Sequence, residues 1–216
     1  MSDAILIVGC GSIGERHLRC FQRTGRANVA ACDANTTLLQ RVAQQYGVAS
    51  FSDFDAALAA RRYDGIVICT PAHTHVGLAL AALQHGAAVF IEKPLSTNLE
   101  KMDELLEAAA KLGRFTAVAY VYHLMPWVFG AREFLRGGEL GRPLHVTVGA
   151  GQLFPTFRPA YREIYYTRHE TGGGAIQDAL THIANAVEWL VGPTTRLFCD
   201  AAHQALEGVT VEDTVN

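Results

Sequence analysis

Short apolar runs alternate with segments of helical periodicity along the first 120 residues of the chain. Continuous apolar runs predict strands over residues 4–8, 28–32, 65–69, 87–91 and 115–119. Such continuous runs are typical of strands buried on both faces, as in a parallel sheet. The segments between them predict helices over Ile13–Gln22, Thr36–Tyr46, Asp53–Ala60, His75–His85 and Asn98–Leu112. We expect Ser96, Thr97 or Asn98 to cap the last helix. The alternation predicts a doubly wound α/β sheet.

The pattern changes after about residue 120 and indicates a second domain of α+β type. Apolar and polar residues alternate over 143–153, which predicts a half-exposed strand. Helices are predicted over Trp127–Leu135 and Ala175–Leu190, and further strands over 196–204 and 209–216. We therefore divide the chain into domains 1–122 and 123–216. The second domain would hold a largely antiparallel sheet with open edges, so we expect it to be incomplete and either truncated or completed by a partner.

Composition excludes several broad classes of protein. Half of the residues are hydrophobic and 18% are charged, which is typical of a globular chain. The net charge of -3 is spread without long runs, which argues against a nucleic-acid or polybasic membrane surface. No apolar run is long enough for a membrane helix, and no secretory signal is recognisable. The five scattered cysteines lack zinc spacing, so we expect a reduced, cytoplasmic protein without a metal site.

A glycine-rich turn lies between the first predicted strand and the first predicted helix. Gly9, Gly11 and Gly14 form a G-x-G-x-x-G pattern in "ILIVGCGSIG". Gly9 would permit the tight turn, Gly11 would let a pyrophosphate approach the backbone, and Gly14 would let the helix pack closely. The start of the helix, with Ser12 and Ile13, would present free N–H groups to phosphates. The pattern alone is weak, because such turns also occur for geometric reasons.

Asp33 ends the second predicted strand, about 20 residues beyond the glycine pattern, where a carboxylate can accept hydrogen bonds from an adenosine ribose. The two features together predict dinucleotide binding. Asp33 could instead cap the following helix. A carboxylate here would repel a 2′-phosphate, and no basic residue follows before Arg41, so we favour NAD over NADP.

Two further strand ends should border the same crevice, because parallel strands present their carboxyl ends at one edge. Thr70 and Pro71 could pass beneath the ribose and pyrophosphate, and His75 could contact the cofactor, although His73 and His75 could equally be solvated loop residues. Glu92, Lys93 and Pro94 end the strand over 87–91. Pro94 restricts Lys93 to extended geometry, so the lysine is either a fixed catalytic group or an ordinary strand exit.

An acid and a histidine share one helix in the second domain. Asp178 and His182 are spaced i and i+4 in "GGGAIQDALTHIANAVEWL" and should lie on one face. They could form a proton relay, and the glycines at 172–174 would allow close backbone approach. The alternative is a capping aspartate and a core histidine.

Taken together, "IVGCGSIGERHLR", "ICTPAHTHVGLALAAL", "VFIEKPLS" and "GGGAIQDALTHIANAVEWLVG" resemble the Gfo/Idh/MocA oxidoreductases over essentially the whole chain. The resemblance implies an N-terminal Rossmann domain and a C-terminal α/β domain whose sheet commonly mediates homo-oligomerisation. It implies hydride transfer between a nicotinamide and a secondary alcohol carbon of a sugar, cyclitol or related polyol. Lys93 would bind and polarise the reacting hydroxyl, His182 would be the acid/base, Asp178 would position substrate or lysine, and Glu92 would join the cofactor site.

Several positions depart from the family pattern. Where relatives often carry "YNYRF", this chain has Val121 near the expected nicotinamide site and His123 in place of the arginine, and Asn185 replaces a frequent aspartate. A loop over 154–170 is rich in arginine and tyrosine. Its candidate substrate ligands, with His123, are Arg158, Tyr161, Arg162 and Tyr165. They would suit a uronic or acylated amino sugar, although the loop could be an ordinary amphipathic surface.

Two functions remain open at this stage. The set of Lys93, Asp178 and His182 favours a dehydrogenase. The changed residues around 121–123 and the absence of the family's later strands favour a non-catalytic NAD-binding sensor, or an inactive truncated homologue.

Overall fold

The computed structural model describes residues 2–216, which form two compact units. The first unit ends at Ala119, and the second is Tyr120–Asn216. This division falls three residues before the predicted boundary, since the short helical turn Val121–Leu124 belongs to the second unit.

The first unit alternates strands and helices from its beginning. Its strands are β1 Asp3–Val8, β2 Ala27–Cys32, β3 Ala49–Phe51, β4 Gly65–Ile68, β5 Ala88–Ile91 and β6 Thr116–Val118. Its helices are α1 Ser12–Arg23, α2 Thr36–Tyr46, α3 Phe54–Ala60, α4 His75–Gln84 and α5 Met102–Leu112. A single 3₁₀ turn, Ala72–Thr74, leads into α4.

The strands form one parallel sheet in the order β3-β2-β1-β4-β5-β6. Strand β1 shows why the sequence runs are continuous, because its side chains alternate between two hydrophobic cores. Leu6 and Val8 belong to one core with residues of α4, whereas Ile5 and Ile7 belong to the other with residues of α1 and α2. The predicted doubly wound parallel sheet is confirmed. Strands β2 and β3 are added on one side of β1, and strands β4 to β6 are added on the other. The strand order therefore changes direction between β1 and β4, and a crevice is expected at the carboxyl ends of these two strands.

Two details of the first unit differ from the predictions. Strand β3 was not predicted, because it is a three-residue edge strand whose Ala49 and Ser50 are exposed and so lack an apolar run. The last helix begins at Met102 instead of Asn98, and none of the three predicted residues caps it. Asn98 Oδ1 accepts the N–H of Glu100 at 2.9 Å, and this local turn competes with the first helical turn.

The second unit has little regular structure. Its helices are α6 Pro126–Gly137, α7 Phe154–Phe157 and α8 Thr181–Val191, and the π-helical turn Ile176–Leu180 runs directly into α8. Short 3₁₀ turns occupy Tyr161–Glu163, Tyr165–Thr167 and His169–Thr171. A small core joins the 154–170 loop to the end of the chain; its members are Tyr161, Tyr166, Leu206, Val209 and Val211.

The strands predicted for the second unit are mostly wrong. The segment 143–153 is in neither a strand nor a helix, and all of its residues are exposed. A strand requires a neighbour to take its backbone hydrogen bonds, and this segment pairs with none among residues 2–216. Of the strands predicted over 196–204 and 209–216, only the two-residue segments β7 Ala201–Ala202 and β8 Thr214–Val215 form strands, and they pair antiparallel.

Across residues 2–216, none of the helices is both long enough and apolar enough to span a bilayer.

Candidate functional site

The glycine-rich loop between β1 and α1 is shaped by close backbone contacts. Gly9 has φ of +92°, and a Cβ on it would lie 2.7 Å from the backbone carbon and oxygen of Cys69. A Cβ on Gly14 would lie 1.8 Å from Gly9 O. Larger residues at these two positions would therefore push the loop away from the end of β4 and from the start of α1.

Gly11 differs from the other two glycines because the space beside it is open. A Cβ on Gly11 would meet nothing within 4 Å, and its φ of -62° is accessible to any residue. Gly11 is also the N-cap of α1, and no side chain of the described residues caps this helix. The first N–H groups of α1, including those of Ser12 and Ile13, are thus available to an anion. This arrangement fits the pyrophosphate of a dinucleotide.

Asp33 joins the end of β2 to the glycine loop. Its Oδ2 accepts the N–H of Cys10 at 2.6 Å, and its Oδ1 accepts the N–H of Asn35 at 2.7 Å. Asp33 is not the N-cap of α2, because Asn35 is the N-cap and its side chain accepts the N–H of Leu38. The contact of Asp33 with the Asn35 N–H does start the turn that leads into α2. Asp33 is half-buried beside the loop, where its remaining lone pairs can accept ribose hydroxyls.

The cysteines around this loop are not arranged for reactivity. Cys10, Cys32 and Cys69 are buried free thiols. Burial, with help from the Asp33 carboxylate, raises the pKa of Cys10 to about 12 and that of Cys32 to about 11. Thiolates are the reactive form, so these groups serve packing.

His75 lies at the start of α4 and ties two strand ends together. Its Nε2 is 2.8 Å from Thr70 O, and its Nδ1 is 2.9 Å from Pro94 O. The residue is only 1% exposed, so it is not a solvated loop histidine, whereas His73 is exposed. Both ring nitrogens contact the protein. The structure shows His75 in contact with the loop after β4, at Thr70, and with the loop after β5, at Pro94. Direct contact between His75 and a cofactor therefore stays a prediction.

The Glu92-Lys93-Pro94 segment at the end of β5 is fixed from two sides. Glu92 Oε1 is 2.7 Å from Nε2 of His17 on α1, and Pro94 O contacts His75. The Lys93–Pro94 peptide bond is cis. The predictions missed His17, whose signal is its position three residues after Gly14 on the helix that begins at the loop. Lys93 is thus half-buried on a segment that its neighbours hold in place.

In the second unit, Asp178 lies in the π-helical turn and His182 in the first turn of α8. Tyr165 donates its hydroxyl to Asp178 Oδ1 at 3.1 Å. Partial burial and the Asp178 charge raise the pKa of Tyr165 well above its usual range. The ring of His182 stacks on Tyr122 with centroids 5.3 Å apart and meets Tyr120 edge-on at 5.8 Å. Two aromatic rings therefore set the orientation of the imidazole.

The other predicted substrate ligands of this unit mostly make structural contacts. His123 stacks on Trp189 at 4.5 Å, and Arg132 lies over the same indole ring at 4.1 Å. Tyr161 is 2% exposed and donates its hydroxyl to Glu207 O at 2.6 Å.

Arg162 also contacts this turn, because its Nε donates to Glu207 O at 2.9 Å. Arg158 is exposed and bonds only to Phe157 O among the described residues. Of the 154–170 loop candidates, Tyr165 is the one that the structure brings to Asp178. Substrate contacts of the others stay predictions.

Glu212 is a functional candidate that sequence reasoning missed. Its carboxylate accepts the N–H of Ile176 at 2.8 Å and lies 2.5 Å from His169 Nε2. A Cβ on Gly174 would lie 2.4 Å from the same carboxylate, which explains the glycine at that position. Glu212 thus holds the start of the helical segment that carries Asp178 and His182. Glu212 and Ile176 are 36 residues apart in the sequence, so no local pattern predicts the contact between them.

Comparison with protein families agrees with this arrangement. A model described as an oxidoreductase family with an NAD-binding Rossmann fold matches residues 4–120, more than half of the chain. The GFO/IDH/MocA C-terminal domain model matches residues 128–216. The chain belongs to the Gfo/Idh/MocA oxidoreductase family. The resemblance seen in the sequence is therefore confirmed, and the first unit of this family member has the NAD-binding fold.

Curated relatives of this Gfo/Idh/MocA chain include sugar and cyclitol dehydrogenases. The inositol 2-dehydrogenase of Burkholderia lata is 29% identical over 199 residues, covering 89% of this chain and 55% of the relative. The D-glucoside 3-dehydrogenase of Escherichia coli is 29% identical over 191 residues, covering 87% and 54%. The chain spans about half the length of these relatives.

Solved structures agree with the fold. The WlbA dehydrogenase of Bordetella pertussis, in complex with NADH and UDP-GlcNAcA, has a TM-score of 0.84 and 26% identity, covering all of this chain and 66% of that one. Levoglucosan dehydrogenase in complex with NADH has a TM-score of 0.83 and 21% identity. This match covers all of this chain and 62% of the levoglucosan dehydrogenase chain.

Proposed function

We propose that this chain acts in an NAD-dependent dehydrogenase that transfers a hydride between nicotinamide and a secondary alcohol carbon of a sugar, cyclitol or related polyol. The observation that carries the proposal is the pairing of Asp33 with the Cys10 N–H beside the open backbone of Gly11. That pairing provides a ribose acceptor and a pyrophosphate site in one loop.

The cofactor would be held by this loop and by the neighbouring strand end. The uncapped start of α1 would bind the pyrophosphate, Asp33 would accept ribose hydroxyls, and Thr70 and Pro71 would line the crevice. When bound, NAD supplies the hydride acceptor and donor of the reaction. His75 would act on the cofactor indirectly, by holding the loop at Thr70.

The protein groups would handle the proton and the charge on oxygen. Lys93 would bind the reacting hydroxyl and stabilise negative charge on its oxygen, because an ammonium is most effective when its position is fixed beforehand. His182, oriented by Tyr120 and Tyr122, would take or return the hydroxyl proton. Asp178 and Tyr165 would position the substrate.

The relatives support the substrate class in this proposal. Two of them are named for oxidation of an inositol and of a D-glucoside. The WlbA structure contains UDP-GlcNAcA, which is in line with our interpretation of the 154–170 loop as suited to a charged sugar. We further propose that the protein works as a homo-oligomer. The cytoplasmic location expected from the cysteines stays a prediction.

Two measurements test the proposal. Calorimetric titration with NAD⁺ measures cofactor binding. The absorbance of the reduced cofactor is then followed across a panel of cyclitols, hexoses and uronic acids. We expect saturable NAD⁺ binding and reduction with at least one polyol. Binding without reduction across the panel would contradict the dehydrogenase and favour the sensor. Absence of binding would contradict both.

The variants Lys93→Met and His182→Asn separate chemistry from binding. Each should lower kcat by about 10²-fold or more, because each removes a group that acts on the reacting oxygen. NAD⁺ affinity should change little. Lys111→Met, an exposed lysine in the last turn of α5, is the matched control and should leave kcat unchanged. A kcat of Lys93→Met equal to that of the control would contradict the assigned role.

A further inference from the structure

We propose that His17 is a positioning residue for the dehydrogenase reaction. Through the carboxylate of Glu92, it fixes the backbone at Lys93, from which the ammonium group reaches the substrate. This inference rests on the proposed function, because it assumes that Lys93 acts on the reacting hydroxyl.

The Glu92 side chain bridges α1 and the backbone that follows β5. Its Oε1 lies 2.7 Å from His17 Nε2, and its Oε2 accepts the N–H of Lys93 at 3.3 Å. The N–H of Glu92 donates to Ile68 O at 2.9 Å, which continues the pairing of β5 with β4. Because the sheet holds the Glu92 backbone and His17 holds its carboxylate, the acceptor for the Lys93 N–H has a set position.

His17 is itself held in place on α1. Its ring meets the ring of Phe90 edge-on, with centroids 5.6 Å apart and an interplanar angle of 79°. A carboxylate has no proton to donate, so the imidazole must present its Nε2–H to Glu92. The side chains of His17 and Glu92 are only 20% and 13% exposed. Because little water competes for it, this hydrogen bond is stronger than one on the open surface.

Loss of the imidazole N–H would release the bridge. Glu92 Oε1 would lose its 2.7 Å contact, and the carboxylate would turn toward water, because a partly buried charge without a donor is unfavourable. The Lys93 N–H would then lose its acceptor, and the ammonium group would adopt the productive geometry less often. This loss falls mainly on the transition state, where the charge on the reacting oxygen is largest, so kcat should change more than KM.

Two substitutions at position 17 separate the hydrogen bond from the packing. His17→Phe keeps an aromatic ring against Phe90 and removes the N–H donor. His17→Gln removes the ring but keeps an amide N–H on a side chain of similar length, so it is the matched control. With a polyol that the wild type oxidises, His17→Phe should lower kcat by about tenfold or more, and His17→Gln by less than about threefold. The NAD⁺ affinity of both, measured by calorimetry, should stay within about twofold of wild type.

A double variant tests the route through Glu92. In a Glu92→Ala chain the bridge is already absent, so adding His17→Phe should lower kcat no further. A further loss as large as that seen in the wild-type background would show that His17 acts by another route, and would overturn the inference. Urea unfolding of each variant checks that it is folded under the assay conditions.

Acetylation of lysines gives a measurement that does not depend on turnover. The chain has three lysines, and the exposed Lys101 and Lys111 serve as internal references for Lys93. In His17→Phe, the rate at which acetic anhydride labels Lys93 relative to these two should rise by about threefold or more, because the released segment opens more often. In His17→Gln this relative rate should stay close to that of wild type. Mass spectrometry measures the labelling of each lysine.

The outcomes distinguish this inference from the function on which it rests. A wild-type chain that reduces NAD⁺ with none of the polyols in the panel would overturn the proposed dehydrogenase, and the labelling rate of Lys93 would still show whether His17 places that lysine. Wild-type turnover with an unchanged kcat in His17→Phe would overturn the inference alone. Equal losses of kcat in His17→Phe and His17→Gln, or an unchanged labelling rate of Lys93, would also overturn it.

Discussion

Gly9 and Gly11 belong to one motif but are required for different physical reasons. Gly9 has a positive φ and lies against the backbone of Cys69 and Thr70, so Gly9→Ala strains the turn and forces β4 and the loop apart. We expect this variant to lose about 2 kcal/mol or more of unfolding free energy. Gly11 has an ordinary φ and open space beside it. Gly11→Ala should therefore keep its stability and lose NAD⁺ affinity, because its methyl group would occupy pyrophosphate space.

Urea unfolding and NAD⁺ titration of the two variants measure these effects separately. Gly25→Ala is a suitable control, since Gly25 has a positive φ of +66° but no atom near its Cβ position. It should lose about 1 kcal/mol through backbone strain alone. A large stability loss in Gly11→Ala, with unchanged affinity, would contradict the assignment of Gly11 to the phosphate site.

Local patterns were sufficient for some residues and not for others. The glycines and Asp33 were predicted because strand, turn and helix follow one another within a short stretch of chain. His17 and Glu92 are 75 residues apart, and Glu212 and Ile176 are 36 apart. No periodicity or spacing in the sequence encodes such pairs, because they depend on how distant elements pack.

At the scale of elements, His75 connects the ends of β4 and β5 through two backbone carbonyls. A neutral imidazole has one N–H and can donate to only one of them at a time. Burial lowers the pKa of His75, although the carbonyls of Thr70 and Pro94 and the charge of Glu92 act in the opposite direction. The exposed His73 adds to the lowering. The folded chain therefore resists protonation at this position.

This lowered pKa predicts a loss of stability in mild acid. The unfolded chain takes up the proton near pH 6.5, before the folded chain does, so the stabilisation is complete above that pH. It is lost as the pH falls toward the lower folded pKa, by up to about 1.4 kcal/mol per pH unit. His75→Gln cannot titrate, so its unfolding free energy should vary less with pH across this window.

Urea midpoints of wild type and His75→Gln at neutral and mildly acidic pH measure the difference. His145→Gln, which removes an exposed histidine, should retain the wild-type pH dependence. If His75→Gln loses stability in acid as steeply as wild type, the buried imidazole is not the source of the effect.

Element prediction succeeded where the local signal and the tertiary environment agree. Helix α2 was predicted with the bounds it has, because Asn35 caps its start and Gly47 ends it in the left-handed region. Strand β3 was missed, and the strand over 143–153 was predicted but is absent. Strand β3 is mostly exposed and lacks an apolar run, and the segment 143–153 has the strand pattern but pairs with no strand among the described residues. Both outcomes depend on pairing with distant chain, which a local pattern does not encode.

At the scale of the whole molecule, the second unit exposes apolar side chains in a regular pattern. Leu144, Val146 and Val148 are 85%, 41% and 51% exposed, and polar His145 and Thr147 alternate with them. Alternating residues of a strand face opposite sides. The segment therefore has the pattern of a strand with one apolar face, and within the described chain it has no strand beside it.

We predict that this segment takes part in association between copies of the chain, as the proposed homo-oligomer requires. Val146→Lys and Val148→Lys place an ammonium group on the apolar face. They should raise the dissociation constant of the oligomer by about tenfold or more, since burying an unpaired charge costs more than the ~1.4 kcal/mol that a factor of ten represents. Thr147→Lys adds the same charge to the opposite face and is the matched control. Sedimentation velocity over a range of micromolar concentrations measures all three variants against wild type. The prediction fails if wild type is monomeric throughout that range, or if Thr147→Lys dissociates the oligomer as strongly as the two valine variants.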